Sequence, residues 1–272
     1  MPNASILQHY TSLHAAYLHA NGERGTEYLL QQIHLNGTER VLEMGFGTGA
    51  TLVKLKSRYP DLRLSGIEAD PAMIKKAAAR LRFCGLRGRV SLLHTDDRLR
   101  IPSGSVDLVY VESVLAILDE NILAETLRFL ASVLKPGGIL AINESIWHRE
   151  IPCTDIREIN KKCLETFGII QCTEQMTGVE ATSVLFEKYG FKTLAGIRIS
   201  VSEKSSAKRQ NYREYLSALF TLLGKLRLYL QPELRKKHTQ YSSEMRQIFE
   251  PGREYLSGTF MLFQKTGLSA GY

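Results

Sequence analysis

From about residue 40 onward, short apolar runs of strand length alternate with stretches whose apolar positions recur every three or four residues. That alternation predicts an α/β fold, a parallel sheet whose strands are joined by crossover helices. Residues 40–44 read as strand one, and the next helix carries Leu52, Val53, Leu55 and Tyr59 on its core-facing side. Residues 62–68 read as strand two. Asp70-Pro71 then supplies an N-cap and a first-turn proline for a helix striped by Met73, Ile74, Ala77, Ala78 and Leu81, which Gly85 can end. Strands three and four fall at 90–94 and 106–111. A helix over 119–134 sets Ile122, Leu123, Thr126, Leu127, Leu130 and Val133 at helical spacing. Lys135-Pro136-Gly137-Gly138 breaks it before strand five at 139–143.

The pattern then becomes irregular. Residues 145–178 read as an insert with a short helix at about 156–167. Residues 179–189 are helical with Gly190 as cap, and 191–200 form strand six. The block 204–250 is helical, with Tyr212, Tyr215, Leu216, Leu219, Leu222, Leu223 and Leu226 forming an i, i+3, i+4, i+7 stripe expected to bury against protein. A further strand pattern occupies 255–265. Ahead of the sheet, residues 1–39 form a helical lead-in or cap: His9, Tyr10, Leu13, Tyr17 and Leu18 cluster, followed by Tyr28, Leu29, Leu30 and Ile33. The organisation expected is therefore 1–39 as lead-in and 40–272 as one domain with helical inserts at about 145–178 and 204–250.

Composition narrows the class. The 272 residues, 44% of them hydrophobic, suffice for a full core. No apolar run reaches the ~18 residues of a membrane span, and the first residues lack the basic and apolar regions of a secretory signal, so the expected location is cytoplasmic. Cys84, Cys153, Cys163 and Cys172 form no CxxC pair, which argues against zinc or a redox dithiol. Of the net charge of +7, the segment 204–250 holds ten Lys/Arg against four Glu, a balance of +6 that leaves about +1 elsewhere. A nucleic-acid footprint across the catalytic face is not indicated, and nucleic acid is not an expected partner.

The candidate chemistry sits in Val41-Leu42-Glu43-Met44-Gly45-Phe46-Gly47-Thr48-Gly49-Ala50-Thr51, a buried strand running through a glycine-rich turn into a helix. Alternate glycines allow a tight turn and close approach of a ligand, and the helix points free N–H groups at it. Gly45-x-Gly47-x-x-Ala50 also satisfies a dinucleotide fingerprint. Glu43 tilts the choice, because a carboxylate beside the loop repels a pyrophosphate but favours a sulfonium and an α-ammonium. Glu68 ends strand two, at the sheet edge where ligands bind, and a carboxylate there can accept both ribose hydroxyls.

Glu43-x-Gly45-x-Gly47-x-Gly49 resembles motif I of the class I S-adenosylmethionine (SAM) methyltransferases, and Lys135-Pro136-Gly137-Gly138 is similar to the turn before their fifth strand. His19-Ala20-Asn21-Gly22-Glu23-Arg24-Gly25 resembles the turn preceding the sheet in many small-molecule members. The resemblance implies a Rossmann-like seven-stranded sheet in the order 3-2-1-4-5-7-6, strand seven antiparallel at 255–265. It implies SAM as cofactor, held by Glu43, Gly45, Phe46, Gly47 and Gly49, with Glu68 at the ribose and Ala69 and Met73 against adenine. Thr95-Asp96-Asp97 would follow, with Asp96 or alternatively Asp97 accepting the adenine amino hydrogen. Glu112 and Ser113 would lie under the methionine moiety.

Methyl transfer is an in-line displacement in which alignment and water exclusion supply much of the rate. A base is needed only if the acceptor must lose a proton, and Glu112, Glu144 and His148 are the candidates; for Tyr10 and Tyr17 core packing of the lead-in helix is expected ahead of closing the pocket. Val111-Glu112-Ser113-Val114 is not the [D/N]-P-P-[Y/F] of amino-methylating nucleic-acid enzymes, and no cysteine follows strand four or five for cytosine-C5 chemistry. The expected activity is methylation of a small-molecule acceptor at O, N or C, as in the UbiE-like group. An RNA methyltransferase using 204–250 and a NAD(P)-dependent oxidoreductase are the alternatives. For 204–250 itself a cap or homodimer contact is expected ahead of membrane or RNA contact.

Overall fold

The computed structural model describes residues 6–17, 22–198 and 211–267. Seven strands are formed: β1 (Arg40–Met44), β2 (Arg63–Glu68), β3 (Ser91–His94), β4 (Val106–Glu112), β5 (Leu134–Trp147), β6 (Phe191–Arg198) and β7 (Leu256–Lys265). They make one sheet in the order β3-β2-β1-β4-β5-β7-β6. The first five pair in parallel, while β7 lies antiparallel between β5 and β6. Order and direction are those expected from the sequence. The central strands are buried on both faces, which is why β1 and β4 read as continuous apolar runs rather than alternating ones.

Helices cover both faces. The lead-in supplies α1 (Ile6–Ser12) and α2 (Gly22–Gln32), and α3 (Ala50–Arg58), α4 (Pro71–Phe83) and α5 (Glu120–Val133) follow β1, β2 and β4. Asp70 caps α4 by accepting from Ala72 N, and Asp119 caps α5 by accepting from Asn121 N and Ile122 N. One core gathers α2, α3 and α4 around Leu29, Leu52 and Tyr110. The other gathers α1, α5 and the later helices around Leu127, Ile142 and Trp147.

Several boundaries depart from expectation. The Lys-Pro-Gly-Gly segment does not separate helix from strand. β5 starts at Leu134, opposite Val106, and regains register at Leu108↔Ile139, so residues 135–138 bulge from the ladder. β5 also runs past Asn143 to Trp147, because β7 pairs with it as far as Leu256. The insert therefore starts near residue 148, and its helix α6 (Cys153–Phe167) begins at Cys153 rather than near 156. The next helix is α7 (Gly178–Glu187). Ala78, expected in the α4 stripe, is exposed, and the buried Arg80 takes a place on that face. Leu18, His19, Ala20 and Asn21 lie outside the described residues, and Gly22–Gly25 belongs to the first turn of α2.

The largest departure concerns the second insert. Its described part is a helical hairpin, α8 (Tyr212–Leu230) and α9 (Pro232–Ile248). Apart from Leu216, which packs against the core, the Leu/Tyr stripe of α8 faces away from the protein: Tyr212, Tyr215, Leu219, Leu222, Leu223 and Leu226 are 43–61% exposed. The buried face is Glu214, Ser217, Phe220 and Gly224. Hydrogen bonding explains the inversion. Arg58 pairs with Glu214 at 2.7 Å, and the fully buried Arg80 donates to the Ser217 carbonyl at 2.8 Å and the Thr221 hydroxyl at 2.9 Å. Gly224 seats against the Leu13 carbonyl, where a Cβ would come within 2.2 Å. The partly buried Arg58 and the buried Arg80 take acceptors from α8, and of its two faces only the polar one carries them.

Candidate active site

The glycine turn leaves β1 with three residues in the left-handed region, Gly45 (φ +73), Gly47 (φ +52) and Gly49 (φ +78). They serve different ends. A Cβ on Gly45 would lie 2.1 Å from Val114 Cγ2, and one on Gly49 would lie 2.9 Å from Ala77 Cβ. Those two permit close packing of neighbouring elements. At Gly47 the nearest atom to an added Cβ is the Met73 sulfur at 4.0 Å, and the residue lines a cavity. Gly47 thus keeps bare backbone open to a ligand.

The cavity, about 730 Å³, lies over the carboxyl ends of β1, β2, β4 and β5. Carboxylates dominate the polar part of its wall. Glu43 is fully buried, its Oε2 has no hydrogen-bond partner, and its pKa is raised by burial and then by Glu112 and Glu68. Glu68 accepts from Gly47 N at 2.8 Å, Ala69 N at 2.9 Å and Asp70 N at 3.1 Å; burial still pushes it above the usual range. Glu112 accepts from the Thr26 and Thr51 hydroxyls and from Asn143 Nδ2 at 3.0 Å. At the end of β4 the backbone of Ser113 is strained, with φ +51. An orphaned buried carboxylate oxygen, two further carboxylates beside it and an open backbone cradle fit a ligand that carries positive charge and no phosphate.

The cavity brings together most residues singled out in the sequence. Glu43, Gly45, Phe46, Gly47, Glu68, Ala69, Met73, Thr95, Glu112 and Ser113 all line it, and Tyr10 and Tyr17 close over it from the lead-in. Gly49 stands behind the wall, at the start of α3. Asp96 and Asp97 are the exceptions. Residues 95–100 form a 3₁₀ turn, in which i and i+3 share a face, so Thr95 and Arg98 line the cavity. The Asp96 side chain is 90% exposed and lies 3.2 Å from His94, and Asp97 pairs with Arg100. Neither Asp96 nor Asp97 lines the cavity in this arrangement.

The candidate bases also separate. Glu144 lines the cavity, and its carboxylate accepts from Val114 N and Leu115 N at 3.0 Å and from Ala116 N at 3.4 Å. Burial pushes its pKa up to about 7, the three backbone donors opposing that shift. It clamps the loop after β4. His148 sits beyond the cavity at the far end of β5, 3.3 Å from Glu150.

The other half of the cavity was not legible in the sequence. Its wall is apolar and comes from four separate helices: Ile6 and Leu7 on α1, Ile122 and Phe129 on α5, Phe167 on α6 and Met245 on α9. Ile122 is 49% exposed, which its place on this wall explains. Helical periodicity marks such residues as apolar without telling a core from a chamber.

Comparison with known proteins agrees with this geometry. Residues 41–138 match the family described as methyltransferase domain. The trans-aconitate 2-methyltransferase of Escherichia coli is 32% identical over 128 residues, covering 46% of this chain and 48% of that protein. The chain thus spans about half the length of the curated relatives it matches. The SAM-dependent methyltransferase of Thiobacillus denitrificans, solved with S-adenosyl-L-homocysteine, superposes with a TM-score of 0.62 at 19% identity over 94% of this chain and 97% of that one. The [4+2]-cyclase SpnF superposes with a TM-score of 0.63 at 20% identity, over 90% and 82%. The fold is the Rossmann-like fold of class I methyltransferases. Within that fold, residues 41–138 are the part that matches the methyltransferase-domain family. Among the described residues no helix is long and apolar enough to cross a membrane.

Proposed function

We propose that this protein transfers a methyl group from SAM to a small-molecule acceptor whose body is largely apolar. The observation that carries the reading is one continuous cavity, with carboxylates and an open glycine turn at one end and an apolar chamber at the other. Glu43 and Glu112 would face the cationic groups of the cofactor, Glu68 its ribose, and Met73, Ala69 and Thr95 its base. Bound SAM supplies an electrophilic methyl and its own leaving group. The chain's part is to bind, align and exclude water. Glu112 and Glu144 are already engaged by several donors each, which suits positioning better than proton abstraction.

The chamber also bears on acceptor class. A polycarboxylate such as the one the Escherichia coli relative is named for calls for cationic partners. Among the described residues Arg98 is the one cation on the wall, against five glutamates, Glu43, Glu68, Glu112, Glu125 and Glu144. The fold alone does not decide the reaction, since SpnF carries it too; the buried unpartnered Glu43 favours a cationic methyl donor.

The test has two parts. Calorimetry with S-adenosylhomocysteine should give micromolar binding, with NADH giving none. A panel of methyl acceptors followed by mass spectrometry should then show methylation of apolar-bodied phenols, amines or enols and none of trans-aconitate. Binding of NADH alone would overturn the cofactor reading, and efficient methylation of trans-aconitate would overturn the acceptor reading.

A further inference from the structure

The outward face of α8 has a spacing of its own. Tyr212, Tyr215, Leu219, Leu222, Leu226 and Tyr229 follow one another at intervals of 3, 4, 3, 4 and 3 residues, the a/d rhythm of a helix that packs along a second helix. These six are 43–79% exposed. Leu223 and Leu230 widen the same face. No charged residue lies within it. Lys225 stands at one border, and Arg227, at the other, is turned inward to donate to the Ser12 carbonyl at 2.8 Å.

We infer that this face is a self-association surface, on which α8 of a second copy lies antiparallel. Three observations select that occupant. The seam is self-complementary in an antiparallel pair: Tyr212 meets Tyr229, Tyr215 meets Leu226 and Leu219 meets Leu222 of the second copy. Every seam position then finds another seam position, as a two-fold interface demands, and the two Lys225 side chains do not meet. The area is also sufficient. A 19-residue helix is about 28 Å long, and its large apolar side chains offer on the order of 800 Å² per copy, the scale of one side of a stable interface. Finally, the polar face that a helix lying on lipid turns to water is here docked on Arg58 and Arg80. Of the basic residues on α8, which membrane-surface helices use to flank such a stripe, Arg227 is turned inward and Arg213 lies over the Tyr212 ring, which leaves Lys225 at the border.

The full chain should sediment as twice its 30.7 kDa mass at micromolar concentration. L222E/L226E should weaken the dimer by about 100-fold or more, since the centre of such a seam holds most of the binding energy. Its circular dichroism and affinity for S-adenosylhomocysteine should stay unchanged, because both side chains are exposed. In a Cys153→Ser background, which removes the exposed thiol, chains carrying L219C should form disulfides with chains carrying L222C faster than either does alone. A monomeric wild type, a dimer indifferent to L222E/L226E, or faster cross-linking of each cysteine to itself would overturn the proposal. So would a monomer that is retained by anionic phosphatidylglycerol vesicles through this face.

Discussion

Arg80 Nε donates to the Thr48 carbonyl at 2.8 Å and so ties the middle of α4 to the glycine turn. The same guanidinium reaches the His14 carbonyl at 2.8 Å, and Ser217 and Thr221 on α8, with the Phe220 ring 4.8 Å away. Burial lowers its pKa to about 10, which leaves it charged at neutral pH. One side chain therefore joins the cofactor turn, the lead-in and the second insert. Arg80→Met should cost about 3–5 kcal/mol, since it strands several buried acceptors at once. Denaturant unfolding would measure it, and a loss below 1 kcal/mol would show that these contacts are dispensable.

Gly45 and Gly47 should fail in different ways. Both substitutions carry the cost of a left-handed backbone, about 1 kcal/mol, but Gly45→Ala also drives a Cβ into Val114 and should destabilise the fold further, whereas Gly47→Ala meets no protein atom nearer than 4.0 Å and should chiefly weaken S-adenosylhomocysteine binding. Adding Val114→Ala to Gly45→Ala should restore much of the lost stability. Thermal melts and calorimetry on the three variants separate the effects. Equal losses of stability in the two single variants would refute the division of labour.

Glu43 is held without a partner for one oxygen, beside two other carboxylates. Glu43→Gln should therefore raise the stability of the ligand-free protein near pH 8 while weakening SAM by roughly 1–3 kcal/mol. SAM should suffer more than S-adenosylhomocysteine, which lacks the sulfonium charge. If both ligands weaken equally, Glu43 does not face the sulfonium.

His9 and His238 share one contact, Nε2 to Nδ1 at 3.1 Å, which binds α1 to α9 over the cavity. Burial, then His238 and Lys237, lowers the His9 pKa from 6.5 to about 4. Between those values the folded state holds fewer protons than the unfolded chain. Stability is thus fully present above pH 6.5 and is lost as pH falls toward 4. The unfolding midpoint of the wild type should drop over that window more steeply than that of His9→Gln. Parallel pH profiles for the two proteins would contradict this assignment.

The sequence by itself determined the α/β class, the order of elements, the glycine turn and the acidic residues near it. Those features are local: strand runs, capping Asp70 and Asp119, and left-handed turns that favour glycine are written within a few residues of where they act. The sequence did not show which of Thr95, Asp96, Asp97 and Arg98 faces the cavity, because one 3₁₀ turn decides it. Only the tertiary structure decided the apolar chamber, which α1, α5, α6 and α9 build together from residues over 230 positions apart, and the orientation of α8. Periodicity reveals that a helix has an apolar face, not what covers it. For α8 the need of the buried Arg80 and the partly buried Arg58 for hydrogen-bond acceptors outweighed the burial of a leucine stripe, and the stripe was left facing outward.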